Sequence, residues 1–118
     1  MRSPMKLLIV DDNSVVRRLI KSLVAREADD VRECGDGAEA VALYSLERAD
    51  VVLMDIEMKG LDGIAATRQI KTADSTARII MVTDYDQPDL REAALKAGAS
   101  GYVVKENLLE LVVLLKRG

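Results

Sequence analysis

Histidine is absent from this 118-residue chain, and cysteine, proline and aromatic residues are scarce. Without histidine the chain can have no imidazole metal ligand, no histidine acting as general acid or base, and no Ser-His-Asp triad. The single cysteine, Cys34, cannot form an internal disulfide, which agrees with a reducing compartment. We interpret Cys34 as a small buried hydrophobe at a strand end rather than as a reactive thiol. These absences remove many classes of enzyme.

Long apolar runs and clusters of basic residues are also missing. No run approaches the ~18 apolar residues needed to cross a bilayer, and residues 1–4 lead into no segment of signal-peptide type. The 17 Lys and Arg residues are scattered and the formal net charge is −3, so no basic stripe indicates direct binding to nucleic acid. We expect a cytoplasmic protein without membrane contact, folded as a single domain over residues 1–118.

Short apolar runs alternate with amphipathic segments along the whole chain. This alternation is typical of a parallel sheet covered by helices on both faces. Asp36 and Glu39 have capping-box spacing, and so do Asn107 and Glu110, while Gly98 is placed to end a helix. We expect five strands, at residues 5–10, 30–34, 50–54, 78–82 and 101–104. We expect five helices, beginning at Asn13 or Ser14, spanning about 36–48, 62–71 and 88–97, and closing the chain after Asn107.

The first predicted helix has apolar residues at helical spacing, with basic residues on its other face, and its Val15 and Val16 are expected beside the acidic site. The apolar residues are Val15, Val16, Leu19, Ile20, Leu23 and Val24.

Polar side chains follow the predicted buried strands at their carboxyl ends. The run of residues 50–54 delivers Asp55, and the first strand is followed by Asp11 and Asp12. Thr83 and Lys105 follow the fourth and fifth strands. Open α/β sheets bind ligands outside the carboxyl ends of their strands, so these side chains are predicted to line one crevice. Taken alone, each of these residues could be a helix cap, a strand-end hydroxyl or a solvated charge. Because they occur at the ends of successive strands, a shared functional site is the favoured interpretation.

Three carboxylates within a few ångströms repel one another unless a cation lies among them. Oxygen ligands of this kind suit Mg²⁺, which usually takes one or two protein carboxylates and keeps several waters. With a divalent ion held by Asp12 and Asp55, the free oxygen of Asp55 could attack a phosphorus atom and form an aspartyl phosphate. Phosphoryl transfer needs charge neutralisation, which Lys105 and Thr83 would complete.

The whole chain resembles the receiver domain of two-component response regulators. The resemblance rests on Asp11-Asp12, on Asp55 in VVLMDIEMKGLDG, on Thr83 in IIMVTDYD and on Lys105 in AGASGYVVKE. It implies an α/β, doubly wound (βα)5 flavodoxin-like fold with strand order 2-1-3-4-5. It also implies a signalling switch, not a turnover enzyme, that receives its phosphoryl group from a sensor histidine kinase or phosphotransfer protein and catalyses its own phosphorylation and dephosphorylation.

The resemblance also assigns roles to individual residues. Asp55 would be the phospho-acceptor, and Lys105 would contact the phosphoryl group. The ligands of Mg²⁺ would be Asp11, Asp12, Asp55 and the backbone carbonyl of Glu57. Thr83 and Tyr102 would be a switch pair, in which the ring of Tyr102 turns inward from solvent when the Thr83 hydroxyl moves toward a phosphoryl oxygen.

Several residues depart from the family pattern. Lys59 and Glu106 stand where proline is common, and Asp84 follows the switch threonine where a small residue is usual. A further carboxylate near the phosphoryl path is expected to slow phosphorylation by an anionic donor. Glu57 and Tyr85 occupy positions that tune the lifetime of the phosphoryl group in the family.

The last helix is apolar nearly all round, so some of its side chains are expected to be exposed. It would form a docking surface with the fourth helix and fifth strand, or with the first helix, and phosphorylation would bias homodimerisation there. The GYVVKE ending resembles receivers that precede a helix-turn-helix domain, so DNA would be contacted only through an output domain that this chain lacks.

Three other classes of protein remain as alternatives. Haloacid dehalogenase-type phosphatases also use a strand-end aspartate and Mg²⁺, but Asp55-Ile56-Glu57-Met58 lacks their pattern and we expect no cap domain in this sequence. A flavodoxin-like binding module would need a phosphate loop rich in Ser, Thr and Gly after the first strand. A degenerate receiver used only as a scaffold is disfavoured by the intact Asp55, Thr83 and Lys105.

Overall fold

The structure, a computed structural model, describes residues 5–116. Residues 1–4, considered above for an export signal, and residues 117–118 lie outside that part. The strands are β1 (Lys6–Val10), β2 (Asp30–Cys34), β3 (Val51–Met54), β4 (Ile79–Thr83) and β5 (Gly101–Val104). The helices are α1 (Ser14–Val24), α2 (Gly37–Leu46), α3 (Gly63–Ala73), α4 (Pro88–Ala97) and α5 (Leu109–Lys116), with a short 3-10 helix at Lys105–Asn107. None of these helices has the length and apolarity that a bilayer span requires.

The strands form one parallel sheet in the order β2-β1-β3-β4-β5. The predicted fold class and strand order are therefore confirmed. The register aligns the strand ends, because Val10 lies opposite both Cys34 and Met54. The residues that follow β1 and β3 consequently emerge beside one another at the carboxyl edge of the sheet.

Helices cover both faces of the sheet, which explains why its central strands are continuous apolar runs. Along β3, Val52 and Met54 belong to the core shared with α2, α3 and α4, whereas Val51 and Leu53 belong to the core shared with α1 and α5. All of these side chains are almost completely buried. β2 is an edge strand, and only its last residue, Cys34, is buried.

Side-chain caps define the starts of three helices. The Asn13 carboxamide accepts from two backbone N–H groups in the first turn of α1, at 2.9 and 3.2 Å. Asp36 accepts from Glu39 at 2.7 Å, and Asp62 accepts from Ala65 at 2.9 Å. Each bond satisfies a backbone donor that the helix leaves free. These starts fix where α1, α2 and α3 leave the carboxyl edge of the sheet.

The apolar side of α1 is only partly buried: Val15 and Leu19 are 67% and 50% exposed, because the helix meets the sheet along a narrow stripe that includes Ile20 and Val24. One local expectation is wrong. Asn107 does not cap α5: it ends the 3-10 helix, and its side-chain amide donates to the Glu110 carboxylate at 3.3 Å.

Candidate functional site

Two aspartates enter the site from adjacent strands with their backbones fixed by the sheet. Asp11 N–H donates to the Cys34 carbonyl at 3.1 Å, and Asp55 N–H donates to the Val10 carbonyl at 2.9 Å. These bonds continue the parallel ladder one residue beyond β1 and β3. As a result Asp11 and Asp55 are only 1% and 5% exposed, whereas Asp12 is exposed beside them.

The three carboxylates converge. One oxygen from each of Asp11, Asp12 and Asp55 lies within 4.8 Å of the others. Asp11 Oδ1 accepts from the Asn13 backbone N–H at 2.9 Å, but Asp11 Oδ2 is buried without a hydrogen-bond partner among the described residues. A buried carboxylate oxygen is costly unless a cation balances it, and at Asp11 Oδ2 the Lys105 ammonium supplies that charge. Hard oxygen donors in such a cluster fit Mg²⁺.

Lys105 is the cation that the chain itself supplies. Its ammonium lies 2.8 Å from Asp11 Oδ2, off the direction of a hydrogen bond, and 3.4 Å from Asp55 Oδ1. Burial alone would lower the pKa of Lys105, but the carboxylates of Asp11 and Asp55 outweigh it, and the pKa is raised. The side chain therefore remains charged between the two buried aspartates, and only 13% of it is exposed.

Asp55 is less acidic than an ordinary aspartate. Burial, reinforced by the negative charge of Asp11, raises its pKa from 3.8 to about 6, against the opposing effect of Lys105. The three converging acids and the single lysine beside them leave an excess of negative charge at the site. A bound divalent cation would neutralise this excess charge, so the charge balance as well as the ligand chemistry of the three carboxylates fits such an ion.

The proposed switch residues are joined through Tyr85. Thr83 is fully buried, and its hydroxyl accepts from the Tyr85 backbone N–H at 3.3 Å. The Tyr102 hydroxyl donates to the Tyr85 backbone carbonyl at 2.6 Å, and the Arg91 guanidinium lies 4.4 Å from the centre of the Tyr102 ring. Tyr102 is only 7% exposed, so its ring already lies inward and does not occupy the solvent-facing starting position described above.

Glu57 and Tyr85 contact one another across the mouth of the site. The Tyr85 hydroxyl donates to the Glu57 carboxylate at 2.8 Å, and this bond raises the pKa of Tyr85. The sequence indicates a role for both residues but not their contact, because nothing in the chain signals a pair 28 residues apart. The Glu57 side chain is thus engaged with Tyr85, whereas the metal role implied for Glu57 concerns its backbone carbonyl.

Gly63 is a site-shaping residue that sequence reasoning missed. Its N–H donates to the Ile56 carbonyl at 2.9 Å, and a Cβ atom at this position would lie 1.9 Å from the Asp55 carbonyl oxygen. Only glycine allows α3 to approach so closely the loop that follows Asp55, which we call the acceptor loop.

Lys59, on the acceptor loop, lines an open groove of about 680 Å³ whose other lining residues include Asp12 and Glu57.

Comparison with known proteins gives one consistent result. The family model described as the response regulator receiver domain matches residues 7–116. The chemotaxis protein CheY of Halobacterium salinarum is 41% identical over 100 residues, which cover 85% of this chain and 83% of that protein. The nitrate/nitrite response regulator protein NarP of Escherichia coli is 34% identical over 113 residues, which cover 94% of this chain and 53% of that protein.

Solved structures agree with the sequence comparisons. A LuxR-family two-component response regulator from Aurantimonas sp. superimposes with a TM-score of 0.91 at 36% identity, covering 98% of this chain and 84% of the other. A chain of the CheX-CheY-BeF3-Mg²⁺ complex from Borrelia burgdorferi is also similar. That match has a TM-score of 0.87 at 29% identity and covers 96% of this chain and 87% of the other.

Proposed function

Because this chain belongs to the response regulator receiver domain family, whose members act in two-component signalling, we propose that it is a phosphorylation-controlled switch that accepts a phosphoryl group on Asp55. The proposal treats residues 1–118 as one receiver domain. The observation that carries it is the shared contact of the Lys105 ammonium with Asp11 and Asp55, at 2.8 and 3.4 Å. A cation in this position orients the acceptor carboxylate and neutralises an incoming phosphoryl group.

In the proposed reaction a carboxylate oxygen of Asp55 attacks the phosphorus of the donor. An O–P bond forms, and the bond from phosphorus to the leaving group breaks with its electron pair passing to that group. Lys105 stabilises one phosphoryl oxygen, and the Thr83 hydroxyl, at the end of the next strand, donates to another. Burial of Asp55 limits access of water to the acyl phosphate until the group is removed.

Asp11, Asp12 and Asp55, with the Glu57 backbone carbonyl, would hold a Mg²⁺ ion. When bound, Mg²⁺ neutralises charge on the phosphoryl oxygens and balances the carboxylates that converge here. Support comes from the common 4.8 Å range of the three carboxylate oxygens, which converge beside a single lysine.

The acceptor assignment can be tested with acetyl phosphate and Mg²⁺, followed by intact-mass measurement. We expect one added phosphoryl group on the wild type and none on Asp55→Asn. Replacing Mg²⁺ by a chelator should abolish the addition. Equal labelling of the wild type and the variant would contradict the assignment of Asp55, and labelling that is insensitive to the chelator would contradict the metal requirement.

Receiver domains interact with kinases and phosphotransfer proteins, and we assign the same classes of partner to this chain. The donor would be a sensor histidine kinase or phosphotransfer protein. The effect on transcription would pass through a DNA-binding output domain or a separate partner, since no basic stripe occurs in the sequence.

Exposed apolar side chains support a docking surface on the face that carries α1 and α5. Val15 and Leu19 of α1, and Leu109 and Val113 of α5, are between 49% and 68% exposed. Burying them against a second copy would stabilise a phosphorylation-dependent homodimer. Sedimentation velocity of the phosphorylated and unphosphorylated protein tests this, and equal sedimentation coefficients would contradict it.

A further inference from the structure

Asp84 stands at the entrance to the site and points its carboxylate at Lys105. Its Oδ2 lies 3.8 Å from the Lys105 ammonium, which also contacts Asp11 and Asp55. The side chains of Asp11 and Asp55 are 2% and 7% exposed, whereas that of Asp84 is 67% exposed. Of the three carboxylates around this lysine, Asp84 is the one that a molecule arriving from solvent meets.

We propose that Asp84 determines which chemical class of phosphodonor the site accepts, favouring donors whose leaving atom is a cationic nitrogen over acyl phosphates, whose leaving group is a carboxylate. The inference rests on the proposed function of Asp55 as the phospho-acceptor. It concerns the electrostatic effect of the Asp84 carboxylate on the leaving group of the phosphodonor.

The leaving group departs on the solvent side of the site, where Asp84 lies 3.8 Å from the ammonium that contacts Asp55. Asp55 is buried below the entrance, so an in-line attack expels the leaving group outward, on the side open to solvent. With acetyl phosphate the P–O bond breaks, and its electron pair leaves on acetate, which gains negative charge near the Asp84 carboxylate. This repulsion raises the energy of the transition state.

A phosphoramidate has the opposite charge at the leaving atom. The nitrogen bonded to phosphorus is already protonated to an ammonium group. When the P–N bond breaks, its electron pair passes to this nitrogen, and neutral ammonia leaves without taking a proton from the site. In the transition state the nitrogen is still partly positive, and the Asp84 carboxylate attracts it. The same holds for a phosphorylated imidazole with a protonated ring, the donor chemistry of a histidine kinase.

Glu57 and Asp86 are engaged with other partners and do not share this contact with Lys105. The Glu57 carboxylate accepts the Tyr85 hydroxyl at 2.8 Å, and Asp86 is paired with Arg91 at 2.8 Å. Among the described acids of the β4–α4 connection, Asp84 is therefore the one that contacts Lys105.

Removing the charge of Asp84 also frees Lys105 to contact the phosphoryl group, and this second effect should accelerate phosphorylation by both donor classes alike. The ratio of the two rates isolates the effect on the leaving group.

The test compares second-order rate constants of phosphorylation by acetyl phosphate and by phosphoramidate, followed by intact mass in excess Mg²⁺. We expect the ratio of the acetyl phosphate rate to the phosphoramidate rate to rise about two- to fivefold in Asp84→Asn, as for interactions of exposed charges. It should rise further in Asp84→Lys and stay near the wild-type value in Asp84→Glu. Asp89→Asn removes an exposed carboxylate from the first turn of α4 and should leave the ratio unchanged.

A ratio that is the same in the wild type, Asp84→Asn and Asp84→Lys would overturn the inference while leaving Asp55 as the acceptor. A fall in the ratio, or an equal rise in Asp89→Asn, would overturn it as well. If neither donor labels the wild type, the proposed function and this inference fail together.

Discussion

The Tyr102 hydroxyl donates a 2.6 Å hydrogen bond to the backbone carbonyl of Tyr85. This bond joins β5 to the connection between β4 and α4, and the Arg91 guanidinium covers the ring from outside. Tyr85 also donates its backbone N–H to Thr83 and its hydroxyl to Glu57. One residue therefore contacts both members of the proposed switch pair and the acceptor loop.

Tyr102→Phe should lower the free energy of unfolding by about 1 kcal/mol, because it leaves the Tyr85 carbonyl without its donor in a largely buried setting. Urea denaturation measures this change. Tyr85→Phe is the matched control: it removes a hydroxyl from an exposed contact with Glu57 and should cost clearly less than Tyr102→Phe. Equal losses in the two variants would contradict the buried position of Tyr102.

Asp55→Asn should be more stable than the wild type near neutral pH when metal is chelated. The folded-state pKa of about 6 lies above the ordinary value of 3.8, so the folded protein binds this proton more tightly than the unfolded chain does. The wild type therefore loses stability as pH rises from about 4 to about 6, by roughly 3 kcal/mol at most, and stays at that lower level above it. The neutral amide that the substitution introduces does not titrate and avoids this loss.

Urea denaturation in the presence of a chelator compares the protein at about pH 7.5, where Asp55 is ionised, with the protein at about pH 4.5, where Asp55 is largely protonated. The advantage of Asp55→Asn should be roughly 1–3 kcal/mol at the higher pH and much smaller at the lower. Asp12→Asn, which removes an exposed acid of the same cluster, should gain less than about 1 kcal/mol. An advantage of Asp55→Asn that does not change with pH would contradict the raised pKa.

Gly63→Ala should lower the free energy of unfolding by at least about 2 kcal/mol, because the added methyl group collides with the Asp55 carbonyl oxygen and the loop must shift. It should also slow phosphorylation, since the shift moves the acceptor. Gly35→Ala is the control: the nearest atom to its Cβ would be Arg17 Nη1 at 3.8 Å, an ordinary contact. Little effect of Gly63→Ala on either measurement would mean that α3 does not require this close approach.

Mg²⁺ should raise the melting temperature of the wild type relative to a chelated sample. An ion at about 100 times its dissociation constant stabilises the folded state by about 2.7 kcal/mol, which corresponds to several degrees. Asp11→Asn should lose most of this increment because it removes a buried anionic ligand, whereas Asp89→Asn should keep it. An equal increment in the wild type and Asp11→Asn would place the ion elsewhere.

Much of this architecture follows from local sequence. The central strands are apolar on both faces, so their runs stand out, and each ends at a polar residue. Asn13, Asp36 and Asp62 are caps because their short side chains reach backbone donors within three residues. The convergence of Asp11, Asp12 and Asp55 follows from the rule that parallel strands end at one edge.

Other features depend on tertiary contacts that no local pattern reports. The amphipathic period of α1 does not show how wide a stripe the sheet covers, so it does not reveal that Val15 and Leu19 are exposed while Ile20 and Val24 are buried. The inward position of Tyr102 depends on the path of the chain around Tyr85. The need for glycine at position 63 arises only where α3 meets the backbone of Asp55.

The most direct test of the central claim is to locate the phosphoryl group chemically. After phosphorylation with acetyl phosphate and Mg²⁺, borohydride reduction converts an aspartyl phosphate to homoserine, and peptide mass spectrometry identifies the residue changed. We predict homoserine at position 55 and at no other acid. Homoserine in place of Asp11, Asp12 or Asp84, or no reduced residue in a protein that has gained phosphoryl mass, would contradict the assignment of Asp55 as the phospho-acceptor.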